Sequence, residues 1–375
     1  MQPSRRTVLR GFAVAAATAT VGRVFAWEPA LVGGSLQVKR AMPRSGMVIL
    51  SSNENPYGPL PRASEAMLSA LPQGNRYAFR QTSDLVERLA RYHSVPPERV
   101  VLGNGSTEIL KMAVCGFTGP GKKLVYASPT FEAAAGYAQT VGAELIAVPL
   151  TSSYAHDLDA MLAATRSGTG LVYICNPNNP TASITPYSDL QEFVRRLPGA
   201  FAVLIDEAYH HFAVGAPGYG SFLGHDKVIV ARTFSKVYGM AGIRLGYGVS
   251  SPEMLEPMRR HQLETNINTL AGAAGIASLD DDAAMQAAAR RIIADREEFL
   301  RQTVAQKLRV IPTLANFAMV DARRPAREVI QAFNQRNILI GRPFPPFDTH
   351  VRISFGTPEE MKSFWQAWDR VVPSA

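Results

Sequence analysis

A series of short apolar runs, separated by stretches of helical spacing, constrains this chain more than any other feature. Leu171 to Cys175 and Phe201 to Ile205 are wholly apolar. Val100 to Leu102, Lys123 to Ala127, Glu144 to Leu150, Val228 to Arg232 and Ile243 to Val249 repeat the theme. Between them, Ser83 to His93, Thr107 to Phe117 and Phe131 to Val141 place apolar residues on one helical side. A strand that is apolar on both faces must be covered on both. The pattern therefore predicts an α/β chain whose mostly parallel, seven-stranded sheet lies between helices. Ligands of such sheets sit beyond the carboxyl ends of the strands.

The style changes toward the C-terminus. Pro252 to Glu264 and a long alanine-rich stretch to about Leu308 read as helix. Strands follow at Phe317 to Val320, Ile338 to Ile340 and Val351 to Ser354, with helices from Pro325 to Gln335 and from Pro358. The expected division is a large domain over 61–264 and a smaller α+β domain with its linking helix over 265–375. Residues 45–60 are expected to pack with the smaller domain.

The N-terminus reads Ser4-Arg5-Arg6-Thr7-Val8-Leu9-Arg10, then an alanine-rich apolar stretch from Gly11 to Gly22, then Val24-Phe25-Ala26. That is the layout of a twin-arginine signal peptide over residues 1–26, with the periplasm as destination and the cytoplasm if the leader is not used. The apolar stretch is too short to span a bilayer stably. The chain is 375 residues long with a formal charge of +8, dispersed and without a long basic run, which argues against a nucleic-acid partner. Its two cysteines, Cys115 and Cys175, sit in apolar runs and form neither a disulfide framework nor a metal-binding set. Gly103-Asn104-Gly105 begins like a dinucleotide fingerprint but lacks the third glycine. Gly116 to Lys122 fits a phosphate-loop spacing but follows a helix and is not followed by Ser or Thr.

Four strand ends carry chemistry. Gly105-Ser106-Thr107 opens a helix, whose free N–H groups can hold a phosphate. Asn176-Pro177-Asn178-Asn179-Pro180-Thr181 makes a rigid polar turn. Asp206, ending an apolar strand, is costly to bury without a cation, and a protonated ring nitrogen is a suitable partner; Tyr209 follows it. Lys236, in Thr233-Phe234-Ser235-Lys236, has the small and apolar surroundings that suit a Schiff-base amine, and Arg244 lies eight residues on. Taken singly, each has a plain structural reading: an N-cap, a turn, a partly exposed acid, a solvated lysine.

In this order and spacing the four segments resemble the fold-type I enzymes that depend on pyridoxal 5'-phosphate (PLP). Among these they resemble most the histidinol-phosphate branch of the aminotransferases (class I/II). The likeness runs from Ser52-Asn53-Glu54-Asn55-Pro56-Tyr57-Gly58-Pro59 to Arg352-Ile353-Ser354-Phe355-Gly356-Thr357. It implies that Lys236 carries the cofactor and moves the proton, with Asp206 on the ring nitrogen. Asn179 and Tyr209 would bond the 3' oxygen, and Phe131 would stack on the ring. Gly105, Ser106, Thr107, Thr233, Ser235 and Arg244 would hold the phosphate. Tyr77 would reach the cofactor of a second subunit, which implies a homodimer with shared sites. Arg352 would clamp the substrate carboxylate, with Asn55, Tyr57 and Arg342 as further substrate contacts. The implied reaction is ping-pong transfer of an amino group from an amino acid, or a histidinol-phosphate-like amine, to a 2-oxo acid. A decarboxylase of an O-phospho amino acid or a racemase would present the same Asp206, Tyr209 and Lys236. Two departures stand out. Ala182 occupies a turn position where this family usually has Gly, and Arg342 sits in a Pro- and Phe-rich segment, Gly341 to Phe347, that would suit an apolar side chain.

Overall fold

The structure is a computed structural model, and it describes residues 46–372. The leader over 1–26 lies outside the described residues. The first half of the described chain runs β1 (Val48–Leu50), α1 (Pro61–Ala70), α2 (Phe79–His93), β2 (Val100–Gly103), α3 (Ser106–Phe117), β3 (Lys123–Ser128), α4 (Ala133–Thr140), β4 (Glu144–Pro149), α5 (Leu158–Ala164), β5 (Gly170–Cys175), α6 (Tyr187–Arg196) and β6 (Phe201–Asp206). The second half runs α7 (His210–Ala213), β7 (Val228–Thr233), β8 (Gly246–Val249), α8 (Pro252–Arg259), α9 (Thr269–Leu279), α10 (Asp282–Ala305), β9 (Arg309–Val310), β10 (Phe317–Asp321), α11 (Ala326–Asn334), β11 (Ile338–Ile340), β12 (His350–Ser354) and α12 (Pro358–Val371).

Seven strands form the main sheet in the order β2-β8-β7-β6-β5-β3-β4. All neighbours are parallel except β8, which is antiparallel to both β2 and β7. Every residue of β5, β6 and β7 is buried. Side chains of β3, β5 and β6 alternate between two cores. Leu124, Tyr173 and Leu204 face the cluster built on α3 and α4, while Val125, Ile174 and Ile205 face the cluster holding Leu190 and Phe193 of α6. This double covering is why the strands have no polar side. Burying each such aliphatic side chain contributes roughly 1.5–3 kcal/mol.

The smaller sheets belong to the C-terminal part and to the first strand. β12-β10-β9 is antiparallel, and β1 pairs in parallel with β11, Val48 opposite Ile338. Leu50 joins Phe299, Phe333, Phe364 and Trp368 in one core. The alanine-rich stretch is two helices, because Asp280 and Asp281 interrupt it. Asp281 accepts from the Ala284 N–H and starts α10 afresh. Strand β8 begins at Gly246 rather than Ile243, since Gly239 and Arg244 both take left-handed backbone and turn the chain before it. No helix among the described residues is long and apolar enough to cross a membrane.

Candidate active site

The carboxyl ends of β2, β5, β6 and β7 bring the expected residues together. After β2, Gly105 takes φ +75° and leaves the first turn of α3 without a side-chain cap, so the N–H groups of Ser106 and Thr107 start the helix open. Arg244 lies over this turn. Its guanidinium donates to Ser235 Oγ (3.4 Å), Asn104 O (3.4 Å) and Ala241 O (2.8 Å). Gly105 needs glycine for its positive φ, and a Cβ on Gly246 would collide with the backbone at Ser106 N. Thr233 Oγ1 donates to Ser235 Oγ at 3.0 Å, which places two hydroxyls beside the same arginine. Positive charge, hydroxyls and open amides on one turn form a cradle for a phosphate.

Asp206 ends β6 and is 2% exposed. Its carboxylate accepts from two neutral donors, Tyr173 Oη (3.1 Å) and Ala208 N (3.1 Å). Burial pushes its pKa up to about 6, against the opposing pull of these hydrogen bonds and of Lys236. A buried acid with neutral partners suits a cationic ring nitrogen. Lys236, after β7, is pushed down to about 8, first by burial and then by the Arg352 charge. Its Nζ donates to Ser52 O at 3.3 Å and lies 5.6 Å from the Tyr209 ring centre. An amine poised this near neutrality suits attack on a carbonyl. The phosphate cradle, the acid and the lysine together fit PLP.

Asn179 lies in the polar turn after β5. Its Oδ1 accepts from Arg352 at 2.6 Å, and Arg352 also donates to Ser51 O at 2.7 Å. Tyr209 is buried, accepts from Asn53 Nδ2 at 3.0 Å and packs edge-on against Phe317. Phe131 follows β3, half-buried against the core that holds Cys175. The turn residue Ala182 takes φ +61° and is fully buried, and its N–H donates to Asn178 O at 2.7 Å.

The remaining expected residues have the following partners. Tyr57 donates to Asp295 on α10 at 2.9 Å, with Arg291 over its ring, and burial with Asp295 raises its pKa to about 12. Asn55 donates to Val237 O at 2.9 Å, next to Lys236, and accepts from Tyr57 N. Arg342 pairs with Glu132 and stacks on Phe344. Tyr77 is 74% exposed and lines a cleft of about 420 Å³ with Arg76, Asn104, Asn266 and Asn268. Sequence reasoning assigned no role to Asn53, Tyr173 or Glu132. Asn53 and Glu132 lie within or beside the motifs above, but their partners lie 156 and 210 residues away.

Comparison with known proteins gives the same family. The model of the family "Aminotransferase class I and II" matches residues 45–367. A histidinol-phosphate aminotransferase of Symbiobacterium thermophilum is 38% identical over 335 residues, covering 88% of this chain and 92% of the relative. An aromatic amino acid aminotransferase of Cutibacterium acnes is 37% identical over 273 residues, covering 72% and 78%. The crystal structure of histidinol-phosphate aminotransferase from Sinorhizobium meliloti, in complex with pyridoxal-5'-phosphate, superposes with a TM-score of 0.81 at 28% identity. It covers 88% of this chain and 91% of that one. The chain therefore belongs to the class I and II aminotransferases and is a PLP-dependent enzyme that transfers an amino group between an amino acid and a 2-oxo acid.

Proposed function

We propose that the amino donor carries an aromatic side chain and an α-carboxylate. One observation carries this reading. The guanidinium carbons of Arg342 and Arg352 lie 4.2 and 4.7 Å from the centre of the Phe344 ring, and Glu132 already neutralises Arg342. Phe344 packs with Ile311 and Met319, and Tyr154 and Phe347 lie against them. A carboxylate held by Arg352 thus has an aromatic and apolar wall beside it, with the neighbouring cation already matched. Histidinol phosphate is the second reading. It is favoured by Arg342, which would take a phosphate if Glu132 gave way, and by the Symbiobacterium relative.

The geometry supports the following roles. When bound, PLP supplies an electron-withdrawing ring that acidifies the substrate Cα–H. Lys236 Nζ holds the cofactor, then takes and returns the Cα proton. Asp206 would sit charged beside the ring nitrogen, and Asn179 and Tyr209 would donate to the 3' oxygen. Phe131 would cover the ring. The cradle of Gly105, Ser106, Thr107, Thr233, Ser235 and Arg244 fixes the phosphate. Arg352 grips the α-carboxylate as a two-pronged donor, with Asn55 bracing the Lys236 loop and Tyr57 beside it.

The enzyme works as a homodimer in this proposal, with Tyr77 reaching the partner's cofactor phosphate. Leu68, Leu71, Tyr77, Phe79 and Leu263 are all more than half exposed, which supports a covering partner. Export by the leader over 1–26 belongs to the same proposal; processing and fractionation of the intact precursor test it. The substrate reading is tested by adding single amino donors to the PLP-loaded enzyme and following its visible band. Loss of the band with phenylalanine or tyrosine at micromolar to low-millimolar donor is expected. Loss with histidinol phosphate alone would overturn the aromatic reading.

A further inference from the structure

Asn53 is 2% exposed and yet holds a left-handed backbone, φ +53°. For a residue other than glycine this persists only where the surroundings fix it. Four hydrogen bonds do so. Its N–H donates to Ser354 Oγ (2.8 Å), and its carbonyl accepts from Asn316 Nδ2 (3.0 Å). Its Oδ1 accepts from Ser354 Oγ (3.0 Å), and its Nδ2 donates to Tyr209 Oη (3.0 Å).

The directions of these bonds follow from the donor inventory. Ser354 Oγ accepts the Asn53 N–H and gives its single proton to Oδ1, so the Nδ2 end of the amide faces Tyr209. The Tyr209 hydroxyl has one proton. Since its oxygen accepts from Asn53, that proton is directed away from Asn53. Ser354 sits two residues from Arg352 on β12, so the same strand carries the proposed carboxylate clamp and the group that orients the amide.

We infer that Asn53 is a positioning residue acting through Tyr209: oriented by Ser354, its amide turns the phenolic proton into the site, toward the 3' oxygen of PLP. The inference rests on the proposed role of Tyr209. It makes a prediction that side-chain size does not. Asn53→Asp is nearly isosteric, but a carboxylate only accepts, so it would pull the Tyr209 proton out of the site. Asn53→Gly suits the left-handed backbone and leaves Tyr209 free to rotate. The aspartate variant should therefore be the worse of the two.

The test measures PLP affinity and the pH midpoint of the visible band of the holoenzyme. Asn53→Gly and Asn53→Asp are each made in the native protein and in Tyr209→Phe. Donation to the 3' oxygen stabilises its negative charge, so losing it raises the midpoint. Asn53→Gly should weaken PLP binding about 3- to 10-fold, the range for one neutral hydrogen bond, and Asn53→Asp should weaken it more. In Tyr209→Phe the Asn53→Gly effect should shrink to within about 2-fold, and Asn53→Asp should keep only the effect of its added charge. Full effects of both variants in Tyr209→Phe, or an Asn53→Gly protein worse than Asn53→Asp, would overturn the inference and leave Asn53 as a backbone brace. If Tyr209→Phe alone changes neither affinity nor midpoint, the role of Tyr209 fails and the inference with it. If Asn53→Gly does not fold, Ser354→Ala replaces it. That variant should reproduce the rise in midpoint in the native protein and lose it in Tyr209→Phe; no rise in the native protein overturns the inference.

Discussion

Arg352 donates to the side-chain oxygen of Asn179 at 2.6 Å, across 173 residues of sequence. The guanidinium of β12 thereby fixes the orientation of an amide in the turn after β5. Because Oδ1 is taken, Nδ2 is the end left to donate. One arginine thus serves the proposed carboxylate site and the proposed 3' oxygen site together.

Arg352→Ala should lower kcat/KM for the amino donor about 100-fold, mostly through KM, with PLP content close to normal. Arg352→Lys should recover little of this, since a point charge cannot reproduce the two-pronged geometry. Steady-state kinetics beside an absorbance measure of bound cofactor decide it; unchanged KM places the clamp elsewhere.

Lys236→Ala should fold, lack the visible band of the lysine-bound cofactor and lose turnover by about 10⁴-fold or more. In the native chain the pKa near 8 leaves roughly a tenth of Lys236 as free amine at pH 7, where an ordinary lysine has under a thousandth. Capture of PLP by the cofactor-free protein should therefore accelerate with rising pH and level off above about 8. Stopped-flow traces still rising at pH 10 would mean an unperturbed amine.

Glu132→Gln should leave Arg342 with a neutral neighbour. The KM for an acidic 2-oxo acid should fall several-fold, while the KM for an aromatic donor stays near its native value. Equal changes for both substrates would show that the Glu132–Arg342 pair holds the loop and does not select substrates.

Acid should loosen the region around Arg232. Burial, followed by the Arg232 charge, lowers His93 and His211 to about 3 and also lowers His210. These folded-state values lie below the ordinary 6.5, so the unfolded chain binds protons first as pH falls. Stability present at neutral pH is then lost progressively from about 6.5 toward 3. Thermal midpoints should drop over this window, and His211→Phe should flatten the slope; a midpoint equal at pH 7 and 4.5 would sink the idea.

Much of the fold could be read from the sequence because its strands are buried on both faces. Residues such as Ile174 and Leu204 leave no polar alternation to misread. Asp206 and Lys236 stand out only in combination: singly each has a plain structural reading, and it is the order and spacing of the four strand ends that set them apart. Alanine favours helix throughout the alanine-rich stretch, so the sequence shows helix there but not the division that the Asp281 cap makes. The bond from Tyr57 to Asp295 spans 238 residues and leaves no local mark in the sequence. Ala182 shows how two small terms hide a departure. Left-handed backbone costs an alanine roughly 1–2 kcal/mol. Its buried methyl returns about 0.8 kcal/mol, and avoiding the entropy of glycine returns about 0.5–1. The left-handed turn is therefore open to an alanine at this position.

The carbonyl oxygens of Ser51 and Ser52 already accept from Arg352 and Lys236. In this sense the chain is its own competitive inhibitor. In the proposed clamp a carboxylate arriving at Arg352 would exchange one neutral peptide oxygen for two charged hydrogen bonds instead of filling an empty shell, a net gain on the order of 2–3 kcal/mol. Discrimination at this position is then by charge: an amide or ester of the same substrate has almost nothing to offer that Ser51 does not.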